Sequence, residues 1–167
     1  MKLEQIGFES TSERTLHMLA LKRFEDWPDS IDVGAKHFTL MVAADSRHAF
    51  RGSIERAART SLASGAAYVC MWGPGCERMH DIFNEVRDAQ RNAQTGVSVV
   101  MTTWHEHDSL QEALWFFLAS TYPDEEFADT TNAAVAVVVG NEGWSSEIAR
   151  AFKDPRALRV AVVGADS

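Results

Sequence analysis

The chain has little cysteine, no long apolar run and a shortage of positive charge, and each scarcity excludes a class of protein. Only Cys70 and Cys76 occur in 167 residues. One lies in a strand-like run and the other on the turn after it. No disulfide framework follows from that, and a reducing cytoplasm is the expected compartment. No apolar run reaches the ~18–20 residues of a membrane span. Met1-Lys2-Leu3-Glu4-Gln5 also lacks the apolar stretch and small-residue cleavage site of a signal peptide, so no membrane partner is expected. Lys and Arg number 16 against 24 Asp and Glu, a net charge of -8. Phosphate backbones are held by clustered Lys and Arg, so no nucleic-acid partner is expected either. An acidic balance suits solubility or a basic protein partner. Internal repeats and low-complexity tracts are missing too.

What is present is the composition of an ordinary globular protein, 46% hydrophobic and 24% charged. Five apolar, β-branched runs stand out, at residues 38–43, 67–72, 97–102, 133–139 and 158–163. The fourth, Ala-Ala-Val-Ala-Val-Val-Val, is continuously apolar, as a strand covered on both faces should be. Between the runs lie segments of helical period. Ile54, Ala57, Ala58 and Leu62 share one face, and so do Met79, Ile82, Phe83, Val86 and Ala89. A third stripe comprises Leu110, Ala113, Leu114, Phe117 and Leu118, opened by the capping box Ser109-x-x-Glu112. A shorter helix is predicted over 145–152, ended by Pro155. Another is predicted over 12–26, with the capping box Ser10-x-x-Glu13 and a stop at Pro28.

Alternation of strand and helix implies βαβ crossovers and a parallel sheet. The expected fold is a three-layer α/β sandwich with a mostly parallel five-stranded sheet, resembling Rossmann or flavodoxin-like domains. In this reading residues 1–36 form an N-terminal helix and linker packed on the α/β unit of residues 37–167, within a single domain. Leu114-Trp115-Phe116-Phe117-Leu118 is apolar all round. It is buried beneath the N-terminal helix or forms a homodimer contact.

Candidate functional residues gather where strands end, since ligands of open α/β sheets bind at the carboxyl ends. Trp72, Trp104 and Trp144, three of the five tryptophans, fall at such ends, where an indole would stack a flat ligand. Asp45 follows the first run and suits a ribose hydroxyl, Mg²⁺ or a proton, or simply caps the next helix. Trp72-Gly73-Pro74-Gly75-Cys76 makes a tight loop whose amides could cradle an anion at a helix start. It is neither a Walker loop nor the G-x-G-x-x-G fingerprint. Cys76 would gain thiolate character from the helix dipole, with His80 one turn on. The competing position for it is the core, in line with Met79. After the third run come Thr102, Thr103, Trp104, His105, Glu106 and His107, in which His105 is the candidate general base or donor. Cys76, His80, His105 and His107 match no zinc spacing, so no metal is expected. Gly140, Glu142 and Gly143 complete the edge.

These residues point to a small-molecule or nucleotide-binding domain, with hydrolase or transferase chemistry as its enzymatic version. Its catalytic set would be His105, Cys76 and Asp45, and its ligand-binding set Trp72, Gly73, Gly75, Thr103, Trp104 and Glu142. No cofactor is singled out. The alternative is a non-catalytic interaction protein, such as an immunity or regulatory protein that covers a basic partner.

Overall fold

The computed structural model describes residues 3–92 and 99–164. Its strands are β1 (Glu4–Glu9), β2 (Arg14–Leu21), β3 (His37–Ala44), β4 (Ala66–Trp72), β5 (Met101–His105) and β6 (Thr131–Val139). Its helices are α1 (Arg51–Ser64), α2 (Cys76–Asn92), α3 (Leu110–Ala119), α4 (Glu125–Ala128), α5 (Glu142–Lys153) and α6 (Pro155–Val163). The six strands form one sheet in the order β1-β2-β6-β3-β4-β5. Every neighbouring pair is parallel except β1 with β2.

The apolar runs become strands where they are hydrogen-bonded from both sides. β6 pairs with β2 from Ala133 to Val139 and with β3 from Thr131 to Val139. Both of its faces are covered, which is why its sequence does not alternate. Leu19, Leu40, Val42, Val135 and Val137 face α1 and α2, whose Ile54, Ala57, Met79, Ile82 and Phe83 complete that layer. Leu16, Met41, Ala43, Ala134 and Ala136 face α3, α5 and α6 through Leu114, Phe117, Ile148, Phe152 and Leu158. The capping box of α3 forms as its sequence implies, with Ser109 Oγ accepting from the Glu112 amide.

Two expectations are overturned. Residues 12–26 are not a helix: Glu13 turns with a positive φ of 57° and the chain enters β2. Ser10 does not cap a helix; the Glu9 carboxylate instead accepts from the Thr11 and Ser12 amides and closes the β1–β2 turn. Residues Glu4–Glu9 and Arg14–Leu21 therefore belong to the sheet, while Phe24, Trp27 and Ile31 pack on the core beside it. Residues 158–163 are not a strand either. They lie in α6, because Asp154 caps it through the Ala157 amide and Pro155 sits at its start. Pro155 begins a helix here as well as following one. The sheet thus has six strands, not five. Its parallel strands run β2-β6-β3-β4-β5, an order that the sequence left open. The run expected at 97–102 yields β5 from Met101 onward, and residues 97 and 98 lie outside the described residues.

The chain between β2 and β3 is irregular but pinned to α1. Trp27 is buried and its Nε1–H donates to Ser61 Oγ at 3.2 Å, while Arg56 donates to the Trp27 carbonyl at 2.7 Å. Trp27→Ala should cost about 3–5 kcal/mol in urea denaturation, the range for emptying a large aromatic site. Ser61→Ala should cost about 1–3 kcal/mol by orphaning the indole N–H. Unchanged midpoints would show that this segment does not support the core.

Candidate functional site

The pleat of β5 divides the residues expected at the carboxyl edge. Thr102 and Trp104 point toward α2. There Thr102 Oγ1 donates to Asn84 Oδ1 at 2.6 Å and lies 3.0 Å from His80 Nε2, and the Trp104 ring lies 4.5 Å from the His80 ring. Trp104 is 44% exposed. Thr103 and His105 point the other way, under α3. Thr103 Oγ1 is 3.0 Å from His105 Nε2, and His105 Nδ1 is 2.9 Å from Asp108 Oδ2. The order hydroxyl, imidazole, carboxylate is that of a proton relay. The imidazole, however, lies against Phe116 at 4.5 Å, and Thr103 leans on the buried Cys70 sulfur at 3.6 Å. Asp108 is held again through its carbonyl, which accepts from Trp72 Nε1 at 2.9 Å. The arrangement fastens the loop that launches α3.

The other expected residues are scattered. Trp72 meets Trp144 edge-on at 4.9 Å, so two of the three tryptophans satisfy each other. Asp45 is exposed and paired with Arg47, whose guanidinium holds its carboxyl below the usual range. Glu142 is exposed in the first turn of α5. The two loop glycines serve close packing: a Cβ on Gly73 would lie 2.1 Å from the Ala44 carbonyl, and one on Gly75 would lie 2.9 Å from the Arg47 amide. Ser46 seals this contact, its amide donating to the Pro74 carbonyl and its hydroxyl to the Gly75 carbonyl. Cys76 joins the core beside Met79. Burial pushes its thiol pKa up, outweighing the His105 amide that donates to it. Among the described residues, no three His, Cys, Asp or Glu side chains are grouped to hold a metal ion.

A cavity lies at the opposite end of the sheet. It measures about 770 Å³ and opens among the β1–β2 turn, the C-terminal end of α3 and the α5–α6 junction. That volume is within the usual range for a small-molecule pocket. Four cations line it, Arg14, Lys153, Arg156 and Arg159, against the carboxylates Glu9 and Asp154. Arg14 opens β2 and is only 8% exposed. Its two terminal nitrogens donate to Thr121 Oγ1 and to the Thr121 carbonyl, each at 3.1 Å, and its Nε–H has no partner. Among the described residues no carboxylate lies within ion-pair distance of it. Desolvation lowers its pKa, against the opposing influence of Glu9 and Tyr122. The sequence reading missed this site. Its legible trace was Lys153, Arg156 and Arg159 within seven positions of an acidic chain.

The chain belongs to the family described as domain of unknown function DUF7684, which matches residues 16–155. No curated protein and no solved structure matches it.

Burial raises both thiol pKa values, that of Cys70 to about 12, so both groups stay protonated at pH 8. Native protein should therefore resist a disulfide reagent such as dithionitrobenzoate at that pH, and release two equivalents on denaturation. Rapid labelling of native Cys76 would instead restore it as a nucleophile.

Proposed function

We propose that this chain is a small-molecule-binding domain of Rossmann-like α/β plan whose ligand carries negative charge and occupies the cavity at the amino ends of the parallel strands. One observation carries the reading: Arg14 is a buried guanidinium without a carboxylate partner among the described residues. Burying a charge costs several kcal/mol unless an opposite charge or full hydrogen bonding compensates it. Two neutral acceptors on Thr121 compensate it in part. An anion in the cavity would supply the remainder.

The surroundings favour the same ligand. Glu9 is committed to its turn, accepting from the Ser12 amide at 2.7 Å and the Ser12 hydroxyl at 2.6 Å. Burial acts to raise its pKa, but the hydrogen bonds from Ser12 and Thr11 outweigh this and hold it low. Asp154 is committed to capping α6. Neither is paired with Arg14. His105, Cys76 and Asp45 line no part of this cavity, so the reading is one of binding. The cationic lining also disfavours this face as the docking surface for a basic partner.

Inorganic phosphate is the first probe. Wild-type protein should gain thermal stability with phosphate, by about 2.7 kcal/mol at a hundredfold excess over Kd. Arg14→Met should leave the stability of the ligand-free protein equal or higher, because it removes a poorly compensated charge. The phosphate response should disappear in that variant. A destabilised Arg14→Met protein with an undiminished phosphate response would make Arg14 a structural residue and defeat the proposal.

A further inference from the structure

We infer that the ligand is a phosphate monoester carried on a planar ring, an aryl or nucleoside phosphate, bound with its phosphate toward Arg14 and its ring at the cavity mouth. This rests on the anion-binding reading and adds the ligand's class and orientation. The cavity is polarised. Arg14 lies deep in its wall, while three aromatic side chains from separate segments line it: Phe8 of β1, Trp115 of α3 and Tyr122 just beyond α3. Phe8 is 53% exposed and Tyr122 is 76% exposed. Both border one cavity, where their rings offer a stacking surface to a flat ligand. Trp115 is half-buried in the same wall.

Charge separates a phosphate ester from a carboxylate. Beyond Arg14, Lys153 and Arg156 also line the cavity, and its two carboxylates are already engaged by the β1–β2 turn and the α6 cap. A single carboxylate would match only one of these three cations. A phosphate monoester carries about -1.5 to -2 at pH 7 and three acceptor oxygens, a closer match to several donors. The cavity's ~770 Å³ admits a mononucleotide-sized molecule.

The test is isothermal titration at constant ionic strength with four probes: inorganic phosphate, ribose 5-phosphate, phenyl phosphate and AMP. Stacking of one base is worth roughly ten- to hundredfold in affinity. AMP should therefore bind at least about tenfold more tightly than ribose 5-phosphate. Phenyl phosphate sharing that gain would assign the preference to any aryl ring, and AMP alone gaining would assign it to a nucleoside. Phe8→Ser with Tyr122→Ser alters only exposed side chains, so it should keep the native circular dichroism spectrum. It should keep the ribose 5-phosphate affinity while bringing the ring-bearing probes down to it. Equal affinity of all three esters for wild-type protein would overturn the ring, leaving anion binding intact. Binding of inorganic phosphate without any ester would overturn the monoester. Failure of every probe at 10 mM would remove the anion-binding reading itself.

Discussion

Pairing of β6 between β2 and β3 is the constraint on which the rest of this molecule depends. The last strand in the chain lies inside the sheet, bonded along its length on both sides. Its neighbours β2 and β3 therefore do not pair with each other, and the chain must return from the outer edge at β5 to reach it. That return carries α3 across the face opposite α1 and α2. α3 starts beyond the carboxyl end of β5 and descends, so its C-terminal end arrives beside the first residue of β2. α5 descends from β6 in the same way and delivers the α5–α6 junction to the same place. The cavity is thus a product of topology: three segments distant in sequence meet where the central strand forces their helices to end.

The same topology accounts for what happens at the other edge. β5 is an outer strand, hydrogen-bonded to β4 alone. Its side chains alternate between the two helical layers, as the two-residue period requires. Consecutive residues such as Trp104 and His105 are thereby committed to different faces, one to His80 and the other to Phe116. Proximity in sequence had suggested one site. On a strand it means the reverse: residues two apart come together, Thr103 with His105 on one face and Thr102 with Trp104 beside His80 on the other.

Most of the architecture was legible because burial on both faces leaves an unambiguous mark. The apolar runs that became β3, β4 and β6, and the stripes of α1, α2 and α3, sit where their periods indicate. The failures have separate causes. β2 is an interior strand whose buried residues, Arg14, Leu16, His17, Leu19 and Leu21, do not alternate strictly, so its pattern carries no clean period of two. α6 is rich in valine, a strand former, yet only Leu158 of its residues is buried. Capping by Asp154 and the fixed φ of Pro155 start that helix more firmly than β-branching opposes it. The glycines at 73 and 75 resembled a phosphate loop for a reason internal to the protein: two loops must approach within contact distance, and a ligand is not the only thing that needs that room.

Net charge misled in a different way. A total of -8 bears on an extended polyanion, which samples many surface charges at once. A small anion samples only those within about one screening length, ~8 Å at physiological ionic strength. Within one cavity the balance is four cations to two carboxylates, and both carboxylates are engaged locally. The sign of the whole chain therefore does not govern this site. What governs it is the low dielectric around Arg14, which keeps a guanidinium from being screened and leaves its field directed into the cavity. A buried cation answered only by the hydroxyl and carbonyl of Thr121 is a standing cost to the folded state. On the proposed reading, a bound anion would remove that cost and be stabilised in turn, so affinity for the ligand and stability of the protein would draw on the same residue.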